Sequence, residues 1–134
     1  MSEKKHAKSS WTGKSSESKK PWGREICWSS FLSIHGKILF INSGERTSLK
    51  YNSLKSETLY ILSGKASALL GSEVTLSDPV QYPFKKVDLE PGACVNIQSG
   101  CPYRITAITD CVIVEIGNNR GDKPVRIEDD YGRI

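Results

Sequence analysis

The sequence predicts an all-β fold, a single barrel or sandwich of short strands, and three observations carry that prediction. Apolar and polar residues alternate over strand-length stretches rich in β-branched and aromatic side chains. Gly, Pro, Asn and Asp recur between these stretches every eight to twelve positions or so. No segment keeps an apolar stripe at helical spacing. The 134 residues suit one domain, long enough to bury a core without disulfides or a metal.

The elements follow in chain order. Residues 1–20, "MSEKKHAKSSWTGKSSESKK", are rich in Ser and Lys, have no periodic apolar pattern, and are expected to be a disordered basic arm. The folded domain is expected to run over residues 21–134. Its strand candidates are "EICWSSFLSI", "GKILFIN", "TSLKYN", "ETLYILSG", "KASALLG", "FKKVDLEPG", "CVNIQSG", "YRITAITD" and "CVIVEIG", with "VRIEDDYGRI" as a last strand or terminal turn. A surface loop is placed around Asp78 to Pro83.

Charge excludes one function class. The net charge is +4, and residues 1–20 hold six Lys against two Glu, leaving thirteen basic and thirteen acidic residues in the rest. A nucleic-acid-binding fold concentrates basic and aromatic residues on its folded face, which this neutral body does not predict. The arm reads either as a solubilising leader or as a segment that docks on an acidic partner, with Trp11 as anchor. No apolar run reaches the roughly 18 residues of a membrane span, and "MSEKKHAKSS" has no apolar stretch after it to make a secretory signal. Cys27, Cys94, Cys101 and Cys111 form no CxxC pair and read as small, buried or half-buried side chains in a reducing, cytoplasmic setting, with one bridge left open.

The spacing of residues 44–107 is specific. Gly44 is followed by five residues, Lys50-Tyr51-Asn52, four residues, Glu57, six residues and Gly64. Further on, Gly92 precedes five residues, Gln98-Ser99-Gly100, two residues, Tyr103, three residues and Ala107. This resembles the two-part signature of the cupin superfamily, G-x5-H-x-H-x(3,4)-E-x6-G and G-x5-P-x-G-x2-H-x3-N. "PWGREI" at 21–26, "VIVEIGNNRG" and "VRIEDDYGR" at 125–133 are similar to the C-terminal cupin domain of type II mannose-6-phosphate isomerases, often fused to mannose-1-phosphate guanylyltransferase. The resemblance covers residues 21–133 and implies a jelly-roll β-barrel, a homodimer or a place in a larger assembly, and a sugar or sugar-phosphate ligand.

The metal positions of that signature are exchanged. Lys50 and Asn52 stand at the H-x-H positions and Tyr103 at the later His, with Glu57 alone retained. Metal centres of this kind need imidazoles and carboxylates. His6 and His35 are the two histidines and are not expected to cluster, so no metal and no other cofactor is expected. Lys50 is expected to pair with Glu57, its ammonium standing in for the metal charge. The leading expectation is a non-catalytic sugar- or sugar-phosphate-binding or assembly module, with Asn52, Gln98 and Arg104 lining its pocket. The alternative is a metal-free sugar-phosphate isomerase or epimerase. In it Glu57 moves the proton between C1 and C2, and Lys50 or Tyr103 polarises the carbonyl. Lys85, Lys86, Arg104 and Arg126 are scattered phosphate contacts. "SGERTS" leads into a strand and lacks the lysine of a phosphate-binding loop. Trp22 and Trp28 are read as core or rim packing, and Asp129, Asp130, Tyr131 and Arg133 as a clamp on the C-terminus.

Overall fold

The computed structural model describes residues 7–118 and 123–134. Eleven strands are present among them: β1 Ser16–Lys20, β2 Gly23–Phe31, β3 Ile34–Ile41, β4 Leu49–Tyr51, β5 Glu57–Ser63, β6 Ala66–Leu70, β7 Lys85–Leu89, β8 Cys94–Ile97, β9 Tyr103–Ala107, β10 Cys111–Asn118 and β11 Val125–Glu128. No described helix is long and apolar enough to cross a membrane. A six-stranded sheet, in the order β1-β2-β3-β10-β5-β8, faces a five-stranded sheet, β11-β4-β9-β6-β7. Every strand pairing is antiparallel. This is the two-sheet jelly-roll barrel that the alternation predicted.

Strand alternation sorts the side chains. In β10, Cys111, Ile113 and Glu115 are buried while Val112 and Val114 are less so, and β5 buries Glu57, Leu59 and Ile61 on the same side. Leu39, Ile41, Leu59, Ile61, Val95, Ile105 and Ile113 fill the space between the sheets. Trp22 joins this core, and Trp28 stays half exposed against Gly36, where a Cβ would lie 2.4 Å from its ring. The four cysteines are free; Cys111 is buried, Cys27 and Cys101 are half-buried, and Cys94 is exposed at the sheet edge, unlike the expectation for it.

The glycines of the signature are backbone devices. Gly44, Gly64, Gly92 and Gly100 have φ of 81°, 87°, 95° and 83°, in the region side chains avoid. At Gly64 a Cβ would also meet the Asp110 carbonyl oxygen at 2.1 Å.

Two boundaries differ from expectation. Residues 16–20 form β1, hydrogen-bonded to β2 from Ser16↔Cys27 to Lys20↔Gly23, so the last quarter of the expected arm belongs to the sheet. The strand supplies backbone partners that composition does not register, and Arg24–Glu17 (2.6 Å) and Lys20–Glu25 (3.1 Å) tie its side chains down. "EICWSSFLSI" bends at Leu32, whose φ is 52°, into a hairpin with β3. Residues 1–6 of the arm lie outside the described residues. The C-terminal clamp is present: Arg46 binds Asp130 through two hydrogen bonds, Arg133 binds Asp129, and the Tyr131 hydroxyl donates to Glu45.

Candidate functional site

The barrel opens between β2, β3, β4, β5, β9 and β10 on a cavity of about 100 Å³. Among its lining residues are Lys37, Lys50, Asn52, Lys55, Glu57, Tyr103 and Glu115. It adjoins a mouth of about 190 Å³ that shares Trp22, Glu25, Lys37, Lys50 and Pro124 and adds Lys20, Ser48, Arg126 and Arg133. Lys50 therefore stands between the two spaces.

Glu57 is the hub. Its Oε1 accepts hydrogen bonds from Asn52 Nδ2 (3.2 Å) and the Tyr103 hydroxyl (3.0 Å). Its Oε2 lies 3.4 Å from Lys55 Nζ and 3.9 Å from His35 Nε2. Glu115 sits one step along the neighbouring strand, since Gly117 pairs with Glu57 and Glu115 with Leu59. Its Oε2 is 3.0 Å from His35 Nε2. The distance is that of a bond, but the ring N–H is not aligned with the carboxylate, and Nε2 is left without a hydrogen-bond partner. His35 has room because position 117 is glycine, where a Cβ would come within 3.2 Å of its ring.

The two carboxyls part in proton affinity. Burial raises Glu57, and the charge and hydrogen bond of Glu115 add to that, so of the two carboxyls Glu57 keeps its proton to the higher pH. Burial also opposes ionisation of Glu115. The His35 ring 3.0 Å away, the Glu57 carboxyl and the charges of Lys50 and Lys55 overcome it and pull Glu115 down to about 2. Burial lowers the Lys50 ammonium and raises the Tyr103 hydroxyl well above its ordinary value.

The structure brings Glu57, Lys50, Tyr103 and Asn52 together as expected and corrects the other assignments. Arg104 is not in the cavity: Tyr103 points inward, so its neighbour points outward. There Arg104 is buried against Thr47 O (2.9 Å) and Glu128 (3.3 Å). Gln98 is exposed and lies outside the inner cavity, lining a surface groove with Ile34, Asn96, Ile116 and Glu57. Lys85 and Lys86 are exposed on β7, away from the site, whereas Arg126 does line the mouth. The ion partner of Glu57 is Lys55, not Lys50. His35 does join a cluster, because the β3–β10–β5 register brings it to Glu57 and Glu115. Glu115 and His35 were missed; the signal for Glu115 was a charge at an inward position of an otherwise apolar alternation.

A transition metal fits this donor set poorly. His35, Glu57 and Glu115 offer one donor atom each, all within 4.8 Å of one another. Yet Lys55 Nζ stands 3.4 Å from Glu57 Oε2, and Lys37 and Lys50 line the same cavity, so a metal ion would enter a space already lined by three lysines. A larger surface depression of about 520 Å³, between the arm and β2, is lined by Ser, Gly, Trp11, Trp28 and Phe31 and has no titratable side chain. It offers no comparable chemistry.

No protein-family model and no curated protein matches the chain. Solved structures do. KdgF from a Halomonas species aligns with a TM-score of 0.63 at 12% identity, over 75% of this chain and 83% of that one. The capsular polysaccharide assembling protein CapF of Staphylococcus aureus gives 0.71 at 13% identity, over 89% of this chain. The Lactobacillus farciminis oxalate decarboxylase, solved as a formate complex, gives 0.72 at 12%, over 91%. The chain spans about a third of CapF and 38% of the decarboxylase. At these identities the likeness is one of fold, and the fold is the cupin jelly-roll barrel.

Proposed function

We propose that this barrel binds an anionic sugar, a sugar phosphate being the simplest case, with its charged end at the mouth and its carbonyl end in the cavity. One observation carries the reading: a cationic mouth opens directly onto a buried acid pair. Lys20, Lys37, Lys50, Arg126 and Arg133 line the mouth against the single carboxylate Glu25. Among the described residues the buried Arg126 Nε has no hydrogen-bond partner, as a donor awaiting an acceptor oxygen has none. The inner cavity of about 100 Å³ is far below the roughly 300–1,000 Å³ of a pocket that encloses a whole ligand, so a sugar enters by one end.

The Glu57–Glu115 pair favours chemistry over binding alone. Two carboxyls whose proton affinities are pushed apart supply an acid and a base, which is what a metal-free isomerase or epimerase needs to move a proton beside a carbonyl. The resemblance to the mannose-6-phosphate isomerase domain points the same way. Titration calorimetry with mannose 6-phosphate and with mannose tests the binding; the phosphate ester alone is expected to bind. Proton exchange at C2 of bound mannose 6-phosphate, followed in deuterium oxide, tests the chemistry and is expected to vanish in Glu57→Gln. Binding without exchange leaves a sugar-binding module, and no binding of either sugar overturns both readings.

A second copy of the chain is the partner we propose. Ile38, Val114 and Tyr60 lie side by side across three strands of the six-stranded sheet on the face away from the core, with Phe40 beside Val112. Such an apolar face is what a homodimer covers, and sedimentation velocity reads it. The exposed arm before β1 is left for an acidic partner.

A further inference from the structure

Lys20, Lys37 and Lys55 each lie close to a carboxylate, at 3.1 Å from Glu25, 3.2 Å from Glu25 and 3.4 Å from Glu57. Lys50 differs. Among the described residues no carboxylate oxygen comes within ion-pair distance of its Nζ, and its nearest described partner is the Tyr103 ring, with the centroid 6.0 Å away. Lys37 and Lys50 both line the cavity and the mouth, but Lys37 is paired with Glu25, which leaves Lys50 as the one of the two without an ion partner among the described residues. β4 holds it between Tyr103 of β9 and Arg126 of β11, so its position is fixed on both sides by strand pairing.

We infer that Lys50 is an imine-forming lysine, which attacks the open-chain carbonyl carbon of a bound sugar. The inference rests on the anionic-sugar reading of the cleft and adds a covalent step to it. The lysine attacks as the neutral amine, and burial lowers its hold on the proton although Glu115 and Glu57 oppose this. Nζ forms a bond to the carbonyl carbon while the C=O electron pair moves to oxygen. The oxygen then leaves as water, carrying away the two protons of the amine. The Glu57 carboxyl, whose hold on a proton burial strengthens and whose Oε1 accepts the Tyr103 hydroxyl, relays those protons and ends the step unchanged. Protonation of the imine acidifies the neighbouring C–H, which is the proton that an isomerase or epimerase moves.

The full chain is incubated at pH 7 with fructose 6-phosphate and sodium cyanoborohydride, and adducts are mapped by peptide mass spectrometry. One adduct on Lys50 is expected, formed faster than on any surface lysine, since a lowered proton affinity leaves more of the amine neutral at pH 7. In Lys50→Arg that adduct is absent. Adducts spread evenly over surface lysines, or none at all while calorimetry registers binding, overturn the imine and leave the anionic-sugar reading standing. Should Lys50→Arg fail to fold, the pH profile of trapping in the unaltered protein decides. Half-maximal trapping well below the ordinary lysine value of 10.5 supports the inference, and a profile at that value overturns it. A Lys50 adduct with glycolaldehyde but not with fructose 6-phosphate keeps the imine and discards the anionic sugar.

Discussion

Glu57 and Glu115 lie diagonally across β5 and β10, and the fold raises the proton affinity of the first while lowering the pKa of the second to about 2. The two therefore contribute to stability with opposite dependence on pH. The folded value of Glu115 lies below its ordinary 4.5, so its contribution is present above 4.5 and fades as pH falls toward about 2. The folded value of Glu57 lies above 4.5, so its contribution is present below 4.5 and is lost as pH rises through the raised value.

Glu115→Gln is expected to cost about 3 kcal/mol at pH 7, because it strips the cavity lysines Lys50 and Lys55 of a buried counter-charge. Glu57→Gln, which keeps an acceptor for Tyr103 and Asn52 and removes a buried repulsion, is expected to leave stability at pH 7 unchanged or raise it. Thermal unfolding of the two variants from pH 3 to pH 8 measures this. A larger loss from Glu57→Gln than from Glu115→Gln at pH 7 contradicts the assignment of the proton.

Gly64→Ala places a methyl group 2.1 Å from a backbone oxygen at a φ of 87°. Neither the Asp110 carbonyl nor the turn can yield cheaply, and a loss of more than about 1 kcal/mol is expected in urea unfolding. Gly44→Ala meets no atom within 4 Å and carries the φ penalty alone, so it is expected to cost less.

Two truncations separate the arm from β1. Removing residues 1–15 spares every pairing of β1 with β2 and is expected to leave stability and sugar-phosphate affinity unchanged. Removing residues 1–20 deletes β1 and takes Lys20 from the mouth. Affinity is then expected to fall about three- to tenfold, in line with the loss of one exposed charge contact. Calorimetry at two salt concentrations reads both truncations.

Zinc added to chelator-treated protein is expected neither to bind in stoichiometric amount nor to raise Tm, because lysine ammoniums hold the acidic oxygens. Stoichiometric zinc that is lost in His35→Ala would reverse that conclusion.

The strands were legible because alternation and turn residues are local properties, and so was the frame of glycines around Lys50, Asn52, Glu57 and Tyr103. The rest of the site was not, because it depends on register. Glu115 lies 58 residues after Glu57 and His35 lies 22 before it, and only the pairing of β10 with both β5 and β3 brings them together. Arg104 illustrates the reverse case. Its distance along the chain from Tyr103 is one residue, yet strand alternation sends it to the opposite face, under the C-terminal segment. β1 was hidden because a Ser/Lys-rich stretch becomes a strand only when a neighbouring edge completes its hydrogen bonds.

The left-handed glycines have a consequence for how this barrel can change. They bend the chain at Gly44, Gly64, Gly92 and Gly100 through backbone conformation, without help from whatever lines the mouth. Shape and reactivity are thus written in different residues, and the lining can drift while the scaffold persists. That separation makes the mouth a place to graft new chemistry without redesigning the fold.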